Sequence, residues 1–101
     1  MKRQPPGFYI TRGSGFHITF ENGWTVSVQF GPGNYCQHRD RHIGDENATC
    51  GKEGSQTAEV AYWPSGGDLQ RVKADSEIVS GYQTPKQVLA LLVKVAVQKQ
   101  S

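Results

Sequence analysis

The sequence is poor in the features that announce a mechanism. Two cysteines and one methionine are all the sulfur it has in 101 residues, too little for a disulfide-stapled scaffold. No apolar run approaches the roughly 20 residues a membrane span requires. The opening MKRQPPGFYI is basic but is not followed by an apolar stretch of signal-peptide length. A cytoplasmic chain outside the membrane is therefore expected. There is no G-x-S-x-G elbow, Walker loop, H-E-x2-H, kinase or dinucleotide fingerprint, and no helix-turn-helix, zinc-finger or RNP pattern. Internal repeats, sustained heptads and low-complexity tracts are also missing. The length suits a single domain over 1–101, with little area for a deep enclosed cavity and none for a large multi-step enzyme.

A large excess of charge of one sign is missing as well. Eleven Lys and Arg against nine Asp and Glu leave +2, too little over the whole chain for a polyanion binder, and of the wrong sign for an acidic nucleic-acid mimic. The charges are segregated, however. Lys2, Arg3 and Arg12 open the chain and Lys86, Lys94 and Lys99 close it with no acid among them, while the middle holds all nine acids. Two basic ends that met in space would form a basic face; two solvated termini would not.

Twelve glycines, five prolines and ten aromatic residues (4 Phe, 4 Tyr, 2 Trp), with a mean hydropathy of -0.58, describe a turn-rich β-containing chain. In GFHITFENGWTVSVQFG, Phe16, Ile18 and Phe20 alternate with polar residues, and so do Trp24, Val26, Val28 and Phe30. Residues directly opposite in an antiparallel pair share a face. A two-residue Asn22-Gly23 loop would put the two apolar rows on opposite faces. A three-residue loop, Glu21-Asn22-Gly23, pairs Phe20 with Trp24, Ile18 with Val26 and Phe16 with Val28, and Gly23 supplies the left-handed residue that such a loop needs.

Residues 7–12 read as a short strand and 12–15, Arg-Gly-Ser-Gly, as a flexible joint. Residues 36–56 are polar and without periodicity, a loop excursion. Residues 57–63 read as a strand with Ala58, Val60 and Tyr62 on one face and Glu59, Ala61 and Trp63 on the other. Residues 69–73 read as a returning strand, and 77–80 as a shorter extended piece leading into Gly81 and Tyr82. Thr84, Pro85 and Gln87 form a capping-box start to a helix over 85–97. From Val88 to Val97 only Lys94 is not apolar. A helix apolar nearly all round must be covered on more than one side, which predicts packing on its own sheet and on another copy of the chain. The competing reading turns residues 93–97 into a strand, which their β-branched alternation permits. The expected fold class is α+β: a small antiparallel sheet (hairpin 16–30 plus strands near 57–63 and 69–73) with the C-terminal helix across one face.

Several groups carry chemistry. Cys36, His38, His42 and Cys50 are zinc-type ligands that would fix a loop with almost no apolar residues of its own. Their spacing, C-x-H-x3-H-x7-C, lacks a regular knuckle, so a Cys36–Cys50 disulfide and two unlinked thiols stay open beside zinc. Arg12 and Ser14 offer a guanidinium, a hydroxyl and glycine-flanked backbone donors. Arg39 and Arg41 suit phosphates, and Tyr9, Phe16, Tyr35 and Trp63 could stack a base. The ligand-binding set is thus Arg12, Ser14, Tyr35, Arg39, Arg41 and Trp63, for a nucleotide-type small ligand. For catalysis, Cys36 or Ser14 with His17, His38 or His42 and Asp40 or Asp45 are inventory without a pattern.

The stretches GFHITFENGWTVSVQFGPGNYC (15–36), AEVAYW (58–63) and GYQTPKQVLALL (81–92) resemble a family of small bacteriophage and prophage accessory proteins. About 40 residues carry the resemblance, and the opening is its most specific part. It implies an accessory protein in the host cytoplasm that binds a host component; the missing catalytic motifs make that protein non-enzymatic, and the apolar helix makes it a homo-oligomer. Its expected role is counter-defence, as a sponge for a nucleotide immune signal or an inhibitor of a host defence protein. The rival readings are a nucleic-acid-binding accessory protein and a small zinc- or thiol-dependent enzyme.

Overall fold

The computed structural model describes residues 4–11, 15–30, 55–67 and 80–100. Among the described residues five strands and one helix follow in order: β1 (Gly7–Ile10), β2 (Gly15–Thr19), β3 (Thr25–Gln29), β4 (Ala58–Trp63), β5 (Ser80–Gln83) and α1 (Pro85–Ala96). The strands form one antiparallel sheet in the order β1-β2-β3-β4-β5, so the chain meanders and each strand pairs with its sequence neighbours.

The hairpin has the register its alternation demands. Phe16 lies opposite Val28 and Ile18 opposite Val26. The Phe20 amide donates to the Trp24 carbonyl at 2.9 Å and the Gly23 amide to the Phe20 carbonyl at 2.9 Å. Gly23 takes φ 91, the left-handed step that closes a three-residue loop. Period-2 alternation then places Val26 and Val28 of β3, and Ala58, Val60 and Tyr62 of β4, on one face. There they form the core with Leu91 and Val95 of α1. Val26, Val60 and Val95 are the largest fully buried side chains, each contributing about 1.5–3 kcal/mol by leaving water.

The helix starts where its cap predicts. The Gln87 amide donates to the Thr84 hydroxyl and the Thr84 amide donates to the Gln87 side chain. Its end is set from a distance. Asn22, at the tip of the β2–β3 hairpin, donates its Nδ2 to the carbonyls of Val95 (3.0 Å), Ala96 (3.3 Å) and Gln98 (3.0 Å). The Trp24 indole donates to the Lys99 carbonyl at 3.0 Å. These bonds reach carbonyls of the last helical turn and of the residues just after it, Val95's shared with the Gln98 amide at 3.1 Å, and they pin α1 along the sheet. Residues 93–96 stay helical, contrary to the strand alternative for 93–97, because burying Val95 against the sheet requires the helical turn that also buries Leu91.

Of the extended piece expected at 77–80, residues 77–79 lie outside the described residues; Ser80 is extended, and the strand, β5, runs on through Gln83. Ala58 pairs with Gln83 and Val60 with Ser80, so β5 spends one more residue than β4 over the same span. That bulge takes in Gly81 and Tyr82, and Tyr82 adopts φ 54. The expected strand at 69–73 also lies outside the described residues.

Candidate functional site

An open apolar groove of about 410 Å³ lies between the first half of α1 and one end of the sheet. Hairpin pairing brings Phe16, Val28 and Phe30 together at that end. Val88, Leu89 and Leu92 of α1 form the opposing wall, with Pro85 at the helix start. Residues 55–58 and Gln83 complete the rim and supply its polar groups. The volume falls in the range of small-ligand sites, and the groove can accept an apolar group while a few hydroxyl and amide groups orient what is attached to it.

The opposite face of the sheet is polar. The Thr19 and Thr25 hydroxyls are 2.8 Å apart, and Thr19 donates to the Gln4 side chain at 3.3 Å. The Thr11 hydroxyl donates to Gln29 Oε1 at 3.0 Å, and Gln29 Nε2 donates to the Ser27 hydroxyl at 3.1 Å. Thr19, Thr25 and Ser27 are buried, and hydroxyl bonding of this kind is what makes buried polar groups tolerable.

Trp63 belongs to this polar face. Its ring meets His17 edge-on, with centroids 5.2 Å apart, and it lies opposite Thr25 in the ladder. Tyr9 pairs with His17 and shares the face; its hydroxyl donates to the Pro5 carbonyl at 2.5 Å. Phe16 faces the helix instead. The aromatics expected to stack a base are thus split between the two sides of the sheet, since Tyr9 and Trp63 are out of phase with Phe16. Arg12, Ser14, Tyr35, Arg39 and Arg41, and the ligand set Cys36, His38, His42 and Cys50, lie outside the described residues. Among the described residues no group of three or more His, Cys, Asp or Glu is gathered as a metal site. No helix among them is long and apolar enough to cross a membrane.

Of the groove residues only Phe16 is a functional candidate in the sequence. The signal for the others was the helix that is apolar almost all round, which says that a flank of α1 outside the core has apolar work to do but not which strand it faces.

Burial lowers the pKa of His17 from the usual 6.5 by desolvating the imidazolium. A base with a depressed folded pKa favours folding most above the unfolded value. From about pH 6.5 downward the unfolded chain takes up the proton first, so stability falls as pH drops through the folded pKa. The urea midpoint should therefore decrease between about pH 7.5 and about pH 5, and decrease less in His17→Phe, which keeps a ring beside Trp63. An equal decrease in both proteins would remove His17 from the account.

Compared with protein-family models, with curated proteins and with solved structures, the chain gives no match in any of the three.

Proposed function

We propose that the protein is a non-enzymatic binding module whose partner is another protein, held by apolar side chains inserted into the groove between α1 and the Phe16–Phe30 end of the sheet. The observation that carries this reading is the groove: about 410 Å³ with walls of phenylalanine, valine and leucine, the type of pocket that receives the aromatic or aliphatic anchor of a protein interface. Tyr82, exposed and held at φ 54 one residue before the rim residue Gln83, adds an aromatic of the kind enriched at interface centres. In the setting implied by the resemblance to phage accessory proteins, the partner is a host defence protein and the role is counter-defence by inhibition. The competing sponge for a nucleotide signal draws on Arg12, Ser14, Tyr35, Arg39 and Arg41, and its aromatics Tyr9 and Trp63 lie on the other side of the sheet from the groove.

Native mass spectrometry of untagged protein recovered from host extract distinguishes the two. The expected result is a polypeptide adduct that falls at least about tenfold in Gln56→Trp, where an indole placed at the groove mouth competes with the partner's anchor. A nucleotide-sized mass released by heating, or an adduct equally abundant in Gln56→Trp, would overturn the reading.

A further inference from the structure

The helix side of the sheet is wider than the helix lying on it. α1 packs on β3 and β4. Phe8 and Ile10 of the edge strand β1 lie opposite Ile18 and Phe16, so they point to the same side as those residues, one strand further out. Phe8 is 79% and Ile10 86% exposed. The helix carries a matching ridge. Leu89, Val93 and Val97 follow at four-residue spacing, which stacks them along one face, and they are 61%, 56% and 77% exposed. Leu89 shares the groove with Phe16, and Phe16 lies opposite Ile10 in the ladder, so the start of the ridge and the strip face each other across a trough over the half-buried Phe16. The single charge within the apolar run of α1 is kept off the ridge: the Lys94 ammonium sits over the Tyr62 ring, 5.6 Å from its centroid.

We infer that this trough receives the Leu89–Val93–Val97 ridge of a second copy of the chain in a two-fold dimer. Both halves of the contact sit side by side on one molecule. One two-fold rotation lays each ridge against the other and onto the partner's β1 strip, which is what an isologous interface requires. The area agrees. The five residues leave on the order of 700 Å² uncovered per molecule, the upper limit of what they can bury, which lies within the roughly 600–1,000 Å² each partner gives to a standard interface. Dimerisation also explains why a helix with only two buried residues, Leu91 and Val95, is apolar on so many sides. The trough shares Leu89 and Phe16 with the groove, so the test is placed at Val93 and Ile10, which do not line the groove, and a failed dimer test leaves the partner-binding reading standing.

Sedimentation velocity over a concentration series tests it with two variants on different elements, Val93→Glu on the ridge and Ile10→Glu on the strip. Wild type is expected to sediment at twice 11.1 kDa with a dissociation constant of about 1–10 μM. Each substitution occurs twice across a two-fold axis, so a tenfold cost per copy weakens the dimer about 100-fold. Both positions are exposed in the single chain, so far-UV circular dichroism should not change. Should either glutamate disturb it, Val93→Gln and Ile10→Thr carry the same comparison. A wild type that stays monomeric up to about 1 mM, an assembly larger than two, or dissociation by only one of the two variants would overturn the proposal.

Discussion

Gly15→Ala should cost about 3 kcal/mol of stability, one of the largest effects of any small substitution in this chain. A Cβ at Gly15 would fall 2.0 Å from the Val28 carbonyl oxygen and 2.8 Å from the Gln29 Cα. Both are backbone atoms of β3, so no side chain can swing aside, and the β2–β3 ladder must part at the end where Phe16 and Val28 form the groove wall. Gly66→Ala is the control. Gly66 has φ +65, but a Cβ there meets nothing within 4 Å, so only backbone strain of about 1 kcal/mol applies. At roughly 4–8 °C per kcal/mol for a domain of this size, the Gly15 variant should melt about 12–24 °C below wild type and the Gly66 variant about 4–8 °C below. Equal losses in the two would mean that the close approach of β2 and β3 is not what limits residue 15.

Asn22→Asp should cost nearly as much, about 2–3 kcal/mol near neutral pH, and Asn22→Ala about 1–2 kcal/mol. The Asn22 side chain does two jobs. Its Oδ1 accepts from the Trp24 amide at 3.1 Å within the turn, and its Nδ2 donates to three carbonyls at the end of α1. Aspartate keeps the acceptor and loses the donor. It also sets a negative charge against the negative end of the helix dipole, whereas alanine loses both sets of bonds but adds no charge. Part of the aspartate loss should be regained on acidification below about pH 4, where the carboxyl is protonated and donates again. Chemical denaturation of both variants at two pH values reads this. An aspartate variant no less stable than the alanine variant would show that the hairpin tip does not hold the helix end.

Asn22 illustrates where reading the residues succeeded and where it stopped. Asn22-Gly23 is a turn signal, and counting the alternation on either side was enough to choose a three-residue loop and the whole hairpin register, because side-chain period 2 leaves one solution that puts both apolar rows on one face. That the same asparagine also closes a helix more than 70 residues later in the chain has no local signature. Gly15 is similar. As part of Arg12-Gly-Ser-Gly15 it reads as a flexible joint, whereas its lack of a side chain is required by a carbonyl of the neighbouring strand. The candidate site was less legible still. Trp63 could be placed on the face it occupies, but the groove exists only because Phe16, Phe30 and Leu89, far apart in sequence, meet at one end of the sheet.

Residue order alone settled what depends on neighbours a few positions away: the hairpin and its loop, the 57–63 strand and its two faces, and a helix beginning at Thr84 with its hydroxyl and Gln87 as reciprocal caps. Assembly in three dimensions settled the rest: the five-strand order, the extra residue taken up by β5, the flank of α1 left bare beside Phe8 and Ile10, and the separation of an apolar groove from a hydroxyl-lined face. Periodicity states how many sides of an element must be covered. Only the packing of distant segments, with the long-range hydrogen bonds that accompany it, decides what covers them.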